Sequence, residues 1–104
     1  MAKRPDFDAG YYYHLYNRGA HKAPIFREHD NYVYVLHQVK KVISEQNLTV
    51  VAYCLLPNHY HFLVRQNGDA AAGLLAQYVF NAYSKAYNTR YEHSGTRMLK
   101  ELEA

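Results

Sequence analysis

Residues 57–64 read Pro-Asn-His-Tyr-His-Phe-Leu-Val. The Pro57-Asn58 pair is a turn signal, and the apolar run behind the histidines reads as a buried strand. Alternate side chains of a strand share a face, so His59 and His61 project to one side while Tyr60, Phe62 and Val64 enter a core. At about 3.3 Å rise per residue, same-face neighbours start roughly 6–7 Å apart at Cα. Modest ring tilts then bring one nitrogen of each onto a shared metal ion. With seven histidines among 104 residues, a His-x-His pair also arises by chance, as two solvated rings on a strand face. Its place at the strand entrance, where sites tend to be built, favours the metal reading.

Working outward, residues 48–56 (Leu-Thr-Val-Val-Ala-Tyr-Cys-Leu-Leu) form a nearly continuous apolar strand before the turn. Strand 59–65 is ended by Gln66-Asn67-Gly68-Asp69. A helix follows over 70–91, with Leu75, Tyr78, Val79, Ala82 and Ala86 on its expected inner stripe and His93-Ser94-Gly95 as its stop. Upstream, Tyr32, Val35, Leu36, Val39, Val42 and Ile43 repeat at 3–4 spacing and predict a helix over 31–45. Asp30 is its expected N-cap, an acidic ligand only secondarily, and Asn47 its end. Residues 10–17 are rich in β-formers and predict a first strand with Tyr12, His14 and Tyr16 on one face and Tyr11, Tyr13 and Leu15 on the other. The segment 17–28 between them is a loop bearing Arg18, His21, Lys22 and Arg27.

The order strand, helix, strand, strand, helix is most of a βαββαβ unit. The expected fold class is α+β, a ferredoxin-like (βαββα) antiparallel sheet with helices packed on one face. No good candidate for the last strand follows Gly95. One domain is expected over 1–104, with a flexible N-terminus at 1–9 and a short polar tail at 96–104.

Composition narrows the setting. Twelve Lys and Arg against nine Asp and Glu give a formal charge of +3, which suits a nucleic-acid partner without demanding one. The single Cys54 excludes an intramolecular disulfide and fits a reducing, cytoplasmic compartment; in an apolar strand it reads as a small core residue rather than a nucleophile. The basic pair Lys3 and Arg4 has no apolar segment after it, so no signal peptide is expected, and no stretch approaches a membrane span. Twelve tyrosines and no tryptophan serve equally well for stacking on bases or for rimming a core.

Tyr13-His14-Leu15-Tyr16-Asn17-Arg18-Gly19, then Ile25-Phe26, Asp30, and Ala52-Tyr53-Cys54-Leu55-Leu56 running into 57–64, resemble the HUH single-tyrosine transposases. These include insertion-sequence transposases and the REP-associated tyrosine transposases of bacteria. The similarity runs from about Tyr12 to Gly95, and such an ordered set is far more specific than a bare His-x-His.

The resemblance implies DNA transposition, with His59 and His61 holding Mg²⁺ or Mn²⁺ on single-stranded or hairpin DNA. A tyrosine attacks the phosphodiester, giving a 5′-phosphotyrosine link that a later 3′-OH reverses. A divalent ion relieves the repulsion between diester and anionic nucleophile, and imidazole ligands favour Mn²⁺ over Mg²⁺. Family members are often dimers, some exchanging helices, which leaves a homodimer open here.

In the family the nucleophile lies on a helix beyond the equivalent of Ser94-Gly95, and that helix often supplies a third metal ligand. No tyrosine follows Tyr91, so the expectation is a family member cut short at the C-terminus. Tyr83, Tyr87 and Tyr91 share a stripe at i, i+4, i+8 and are the candidate nucleophiles within this sequence. The competing reading of that stripe is a helix face that packs on the sheet or binds bases.

Asn17, Arg18 and Lys22 are candidate DNA-binding residues in the basic loop, where solvated side chains are the alternative. His14 reaches the metal or the phosphate if the first and third strands pair, and otherwise supports or simply packs. Three functions stand in view. They are a transposase cleaving and rejoining DNA, a non-catalytic DNA-binding remnant lacking its nucleophile, and, last, an RRM-like RNA binder using sheet tyrosines.

Overall fold

The computed structural model describes residues 7–91. Its elements are β1 (Tyr12–Arg18), a 3₁₀ turn (Ala20–Lys22), α1 (His29–Gln46), β2 (Leu48–Leu56), β3 (His59–Gln66) and α2 (Leu74–Tyr91). The three strands form an antiparallel sheet in the order β1-β3-β2, so β3 is central and hydrogen-bonded on both sides. This is the expected α+β, ferredoxin-like arrangement, with strand and helix limits close to those predicted.

The alternation of β3 divides the molecule. Tyr60, Phe62 and Val64 are buried together with Val35, Val39 and Val42 of α1 and Leu75, Val79, Phe80, Tyr83 and Tyr87 of α2. Phe80 stacks on Tyr60 with centroids 4.1 Å apart and seats α2 against the sheet. Cross-strand partners share a face. His59, His61 and Leu63 therefore lie on the opposite face, uncovered among the described residues, with Arg18, Tyr16 and His14 of β1 and Leu56, Cys54 and Ala52 of β2.

Several expectations are corrected. Cys54 is exposed rather than in the core because it pairs with His61 on the open face of the sheet, and Val51 and Tyr53 are half-exposed because β2 is an edge strand. An apolar edge strand reads in sequence like a buried one. The N-cap of α1 is Glu28, not Asp30. Glu28 is extended, its side chain accepts from the Asn31 backbone N–H, and Asn31 Oδ1 accepts from Glu28 N at 3.0 Å and from Arg27 N at 2.7 Å. Asp30 instead sits exposed in the first turn, 3.5 Å from Arg90. Asn47 closes α1 as expected, in the left-handed conformation at φ 56°.

Asn17 and Arg18 belong to β1 rather than to a loop. The inner stripe of α2 is rotated from the expected one: Leu75 and Val79 are buried, but Tyr78 is exposed, while Phe80, Tyr83, Ser84 and Tyr87 take the inner positions. Phe80 stacks on Tyr60 of β3, and Tyr83 lies against Phe26 and against Tyr34 of α1. Residues 7–9, assigned to a flexible N-terminus, are attached: Phe7 packs on Tyr13 at 5.1 Å, and Asp8 N donates to Tyr13 Oη at 2.6 Å. The rest of that terminus, the helix stop at 93–95 and the tail at 96–104 lie outside the described residues. Among the described residues no helix is long and apolar enough to cross a membrane.

The exit of β1 is clamped to the β2–β3 turn. Gly19 N donates to Asn58 O at 3.0 Å, and Ile25 N and Phe26 N both donate to Pro57 O, at 2.7 and 3.1 Å. A Cβ on Gly19 would stand 2.2 Å from Ala23 O, a backbone atom that cannot step aside. Gly19→Ala is therefore expected to destabilise the protein by about 1–3 kcal/mol, measured by urea unfolding. It should also disturb the amide resonances of Asn58 and His59.

Burial pushes the Tyr60 phenol from 10.0 up to about 12, offset in part by a side-chain hydrogen bond with Asn17. Burial, followed by the neighbouring phenols, raises Tyr83 as well. A raised folded-state value means stability that is complete below pH 10 and lost as pH rises toward 12. Two units at about 1.36 kcal/mol each give roughly 3 kcal/mol for Tyr60. Unfolding free energies across pH 8–12 are expected to fall above pH 10, in step with tyrosinate absorbance, and to fall less in Tyr60→Phe.

Candidate metal and nucleic-acid site

His59 and His61 meet on the uncovered face with ring centroids 5.2 Å apart and planes at 87°. Each has its Nδ1 engaged. Asn58 Oδ1 lies 2.8 Å from His59 Nδ1; a carbonyl oxygen only accepts, so His59 donates through Nδ1–H and keeps Nε2 as a lone pair. His14 Nε2 lies 2.8 Å from His61 Nδ1. The donor set, two imidazoles whose Nδ1 atoms are engaged and whose Nε2 atoms remain as ligand positions, fits a divalent ion with coordination positions left for water and phosphate oxygen. Among the described residues no third His, Cys, Asp or Glu joins them in a ligand group.

An open cavity of about 230 Å³ lies over the pair, lined by Tyr16, Asn17, Arg18, His59 and His61. Arg18 arrives there because it is the register partner of His59, and Tyr16 because it is the partner of His61. Of the three residues expected to bind DNA, the fold brings Arg18 and Asn17 to this cavity. Asn17 stands on the alternate face from Arg18, and its side chain also bonds with Tyr60. Lys22 does not line the cavity; it is exposed in the 3₁₀ turn, where it and His21 both have positive φ, 62° and 56°. A second, apolar hollow of about 220 Å³ on the same face is lined by His14, Ala52, Tyr53, Cys54, His61 and Leu63. A larger cavity, about 330 Å³, opens between α1 and α2 and shares no residue with the pair.

The candidate tyrosines of α2 are not presented to this site. Tyr83 is 1 % exposed and its hydroxyl donates to Ile25 O at 2.5 Å; Tyr87 is 5 % exposed. Tyr91 lies at the end of the helix, donating its hydroxyl to Glu28 and carrying Arg27 over its ring at 4.3 Å. Desolvation, then the Glu28 contact, raises its pKa, the opposite of what activates a phenol as nucleophile.

Two contributors were not read from the sequence. Asn58 fixes the His59 tautomer, and its place immediately before the histidine was the available signal. Tyr16 sits 65 % exposed beside His14 and His61, at 4.7 and 6.1 Å, which follows once β1 is paired to β3 in register.

The fold is thus an antiparallel α+β sheet that carries a same-face histidine pair with Arg18 beside it. Residues 9–102 match the model of the IS200-like transposases, and the chain belongs to that family. No curated protein matches the sequence. Among solved structures it is similar to a REP-associated tyrosine transposase bound to a REP hairpin, with TM-score 0.62 and 16 % identity, covering 85 % of this chain and 53 % of that one. It is also similar to a protein of Deinococcus radiodurans R1 assigned as a transposase, with TM-score 0.61 and 13 % identity, covering 88 % of this chain and 70 % of that one. The chain thus spans about half the length of the hairpin-bound transposase, and at these identities the likeness is one of fold.

Desolvation, followed by repulsion from His14 and His59, lowers the His61 pKa from its ordinary value of 6.5 and keeps the ring neutral at neutral pH. The His61 Cε1–H resonance is expected to titrate with a midpoint below 6.5.

Proposed function

We propose that this chain is the metal-binding and DNA-contacting part of a transposase that cleaves and rejoins single-stranded or hairpin DNA. The observation that carries it is the convergence of His59, His61 and Arg18 on one open cavity, with Nδ1 of each histidine engaged by a neighbouring side chain. His59 and His61 hold a divalent ion, Mg²⁺ or Mn²⁺, which when bound neutralises charge on a phosphodiester. Arg18 binds a phosphate oxygen beside the pair, and Lys22, on the turn that follows β1, extends the positive track along the backbone. Tyr16 offers an exposed ring on which a base next to the scissile phosphate stacks. Asn58 and the hydrogen bonds to Pro57 O hold the turn, so that the histidines do not reorganise when DNA enters.

In the full reaction of this kind, a tyrosine hydroxyl attacks phosphorus, the 3′-oxygen leaves, and a 5′-phosphotyrosine conserves the bond for rejoining. Burial of Tyr83 and Tyr87, and the Glu28 bond of Tyr91, favour a second reading for the residues described. In it, this part binds DNA and metal while the attacking hydroxyl comes from elsewhere. The exposed face of the sheet and the basic edge serve both readings.

The test is a denaturing gel of the protein with labelled hairpin DNA and Mn²⁺, run beside an EDTA control and a native gel. A metal-dependent labelled band means that a tyrosine of this chain attacks, and peptide mapping identifies it; binding without an adduct means the second reading. His59→Ala and His61→Ala are expected to lose the metal dependence while keeping their unfolding midpoints, since both rings stand on the uncovered face. Unchanged metal dependence in the double variant would overturn the assignment. Arg18→Ala is expected to weaken DNA binding and to lower the slope of log affinity against log salt by about 1.

A further inference from the structure

We propose that His14 is a positioning residue for the metal centre. Its Nε2 accepts a hydrogen bond from His61 Nδ1–H and so presents His61 Nε2, unprotonated, to the cavity shared with His59. This inference rests on the reading that His59 and His61 hold a divalent ion.

The geometry singles out this contact. His14 faces Leu63 across the β1–β3 ladder, so its approach to His61 is diagonal, the longer of the two cross-strand reaches. The two nitrogens are nevertheless 2.8 Å apart, the ring planes differ by only 15°, and the centroids are 5.1 Å apart. The N···N distance plus the two ring radii accounts for that centroid separation. The rings therefore meet edge to edge in nearly one plane, as an in-plane hydrogen bond requires, and not face to face. Tyr16 packs beside both rings and restricts their rotation.

One proton joins the two nitrogens, and its location decides what His61 can do. If His14 Nε2 carries it, His61 accepts through Nδ1, its own proton sits on Nε2, and the nitrogen facing the cavity is blocked. If His61 Nδ1 carries it, Nε2 is a lone pair. The second arrangement matches that of His59, whose Nδ1–H is held by the carbonyl oxygen of Asn58. The two ligands are thus prepared alike by different partners, an amide oxygen on one side and an imidazole nitrogen on the other. Metal-bound histidines generally donate their second N–H to such an acceptor, and removing it weakens metal binding by roughly 10–100-fold.

Mn²⁺ binding followed by the EPR signal of the free ion, together with long-range ¹H–¹⁵N spectra of the metal-free protein, tests this. Wild type is expected to bind Mn²⁺ and to show His61 protonated on Nδ1. His14→Ala should raise the Mn²⁺ Kd by about tenfold or more and move the His61 proton toward Nε2, with an unchanged unfolding midpoint because the side chain is exposed. His14→Gln, whose Oε1 accepts but does not titrate, should recover most of the affinity and the tautomer.

His61 found protonated on Nε2 in the wild-type protein overturns the proposal. So does wild-type Mn²⁺ affinity in His14→Ala while His59→Ala loses it, and that result leaves the metal reading standing. Failure of the wild-type protein to bind Mn²⁺, or equal binding by His59→Ala, overturns the metal reading itself and this inference with it.

Discussion

The two-sidedness of β3 is the constraint on which everything else depends. Because the central strand is hydrogen-bonded to both neighbours, its register cannot drift without breaking two ladders at once. A slip of one residue would place His59 and His61 against the helices and expose Tyr60, Phe62 and Val64. Burying the three apolar side chains is worth several kcal/mol, at about 1.5–3 kcal/mol each. That energy holds the histidines on the open side without any contribution from the histidines themselves. The site is thus oriented by the core behind it.

The ends of the strand are held separately. Pro57 O takes two backbone donors from Ile25 and Phe26, and Asn58 O takes one from Gly19. Both Ile25 and Phe26 are buried, so the loop that follows β1 is anchored in the core at the point where it touches the turn before His59. Tyr83 extends the same support from α2, through its hydroxyl on Ile25 O. A residue that reads as a candidate nucleophile therefore serves to brace the turn that precedes His59 and His61. Its burial and its raised pKa follow from that role.

The uncovered face is unusual for its mixture. Tyr12 and Tyr16 are more than half exposed, Leu56 and Leu63 are over a third exposed, and Arg18, Arg65, His14 and Cys54 lie among them. Apolar rings and aliphatic groups beside cations suit a strand of nucleic acid, whose bases stack and whose phosphates pair. A sheet face meant only for water would carry fewer large apolar groups. Membership of the IS200-like transposases accords with such a surface.

Much of this was legible in the residues alone, and for a definite reason. Period-two alternation in 59–64 and the 3–4 spacing in 31–45 are local properties, so strand, helix and the facing of the histidine pair could be read directly. Asn47 at a helix end and the Pro57-Asn58 turn are equally local. What only the tertiary structure decided depends on neighbours. Cys54 is exposed because it shares the open sheet face with His61 and Leu63, which an apolar run does not reveal. Glu28 caps α1 because Asn31 turns back to it, although Asp30 is the better capping residue by type. The stripe of α2 is set by which rings fit between α1 and the sheet. The contact of His14 with His61 exists only because β1 and β3 pair in one register, and no spacing along the chain measures the distance between residues 47 apart.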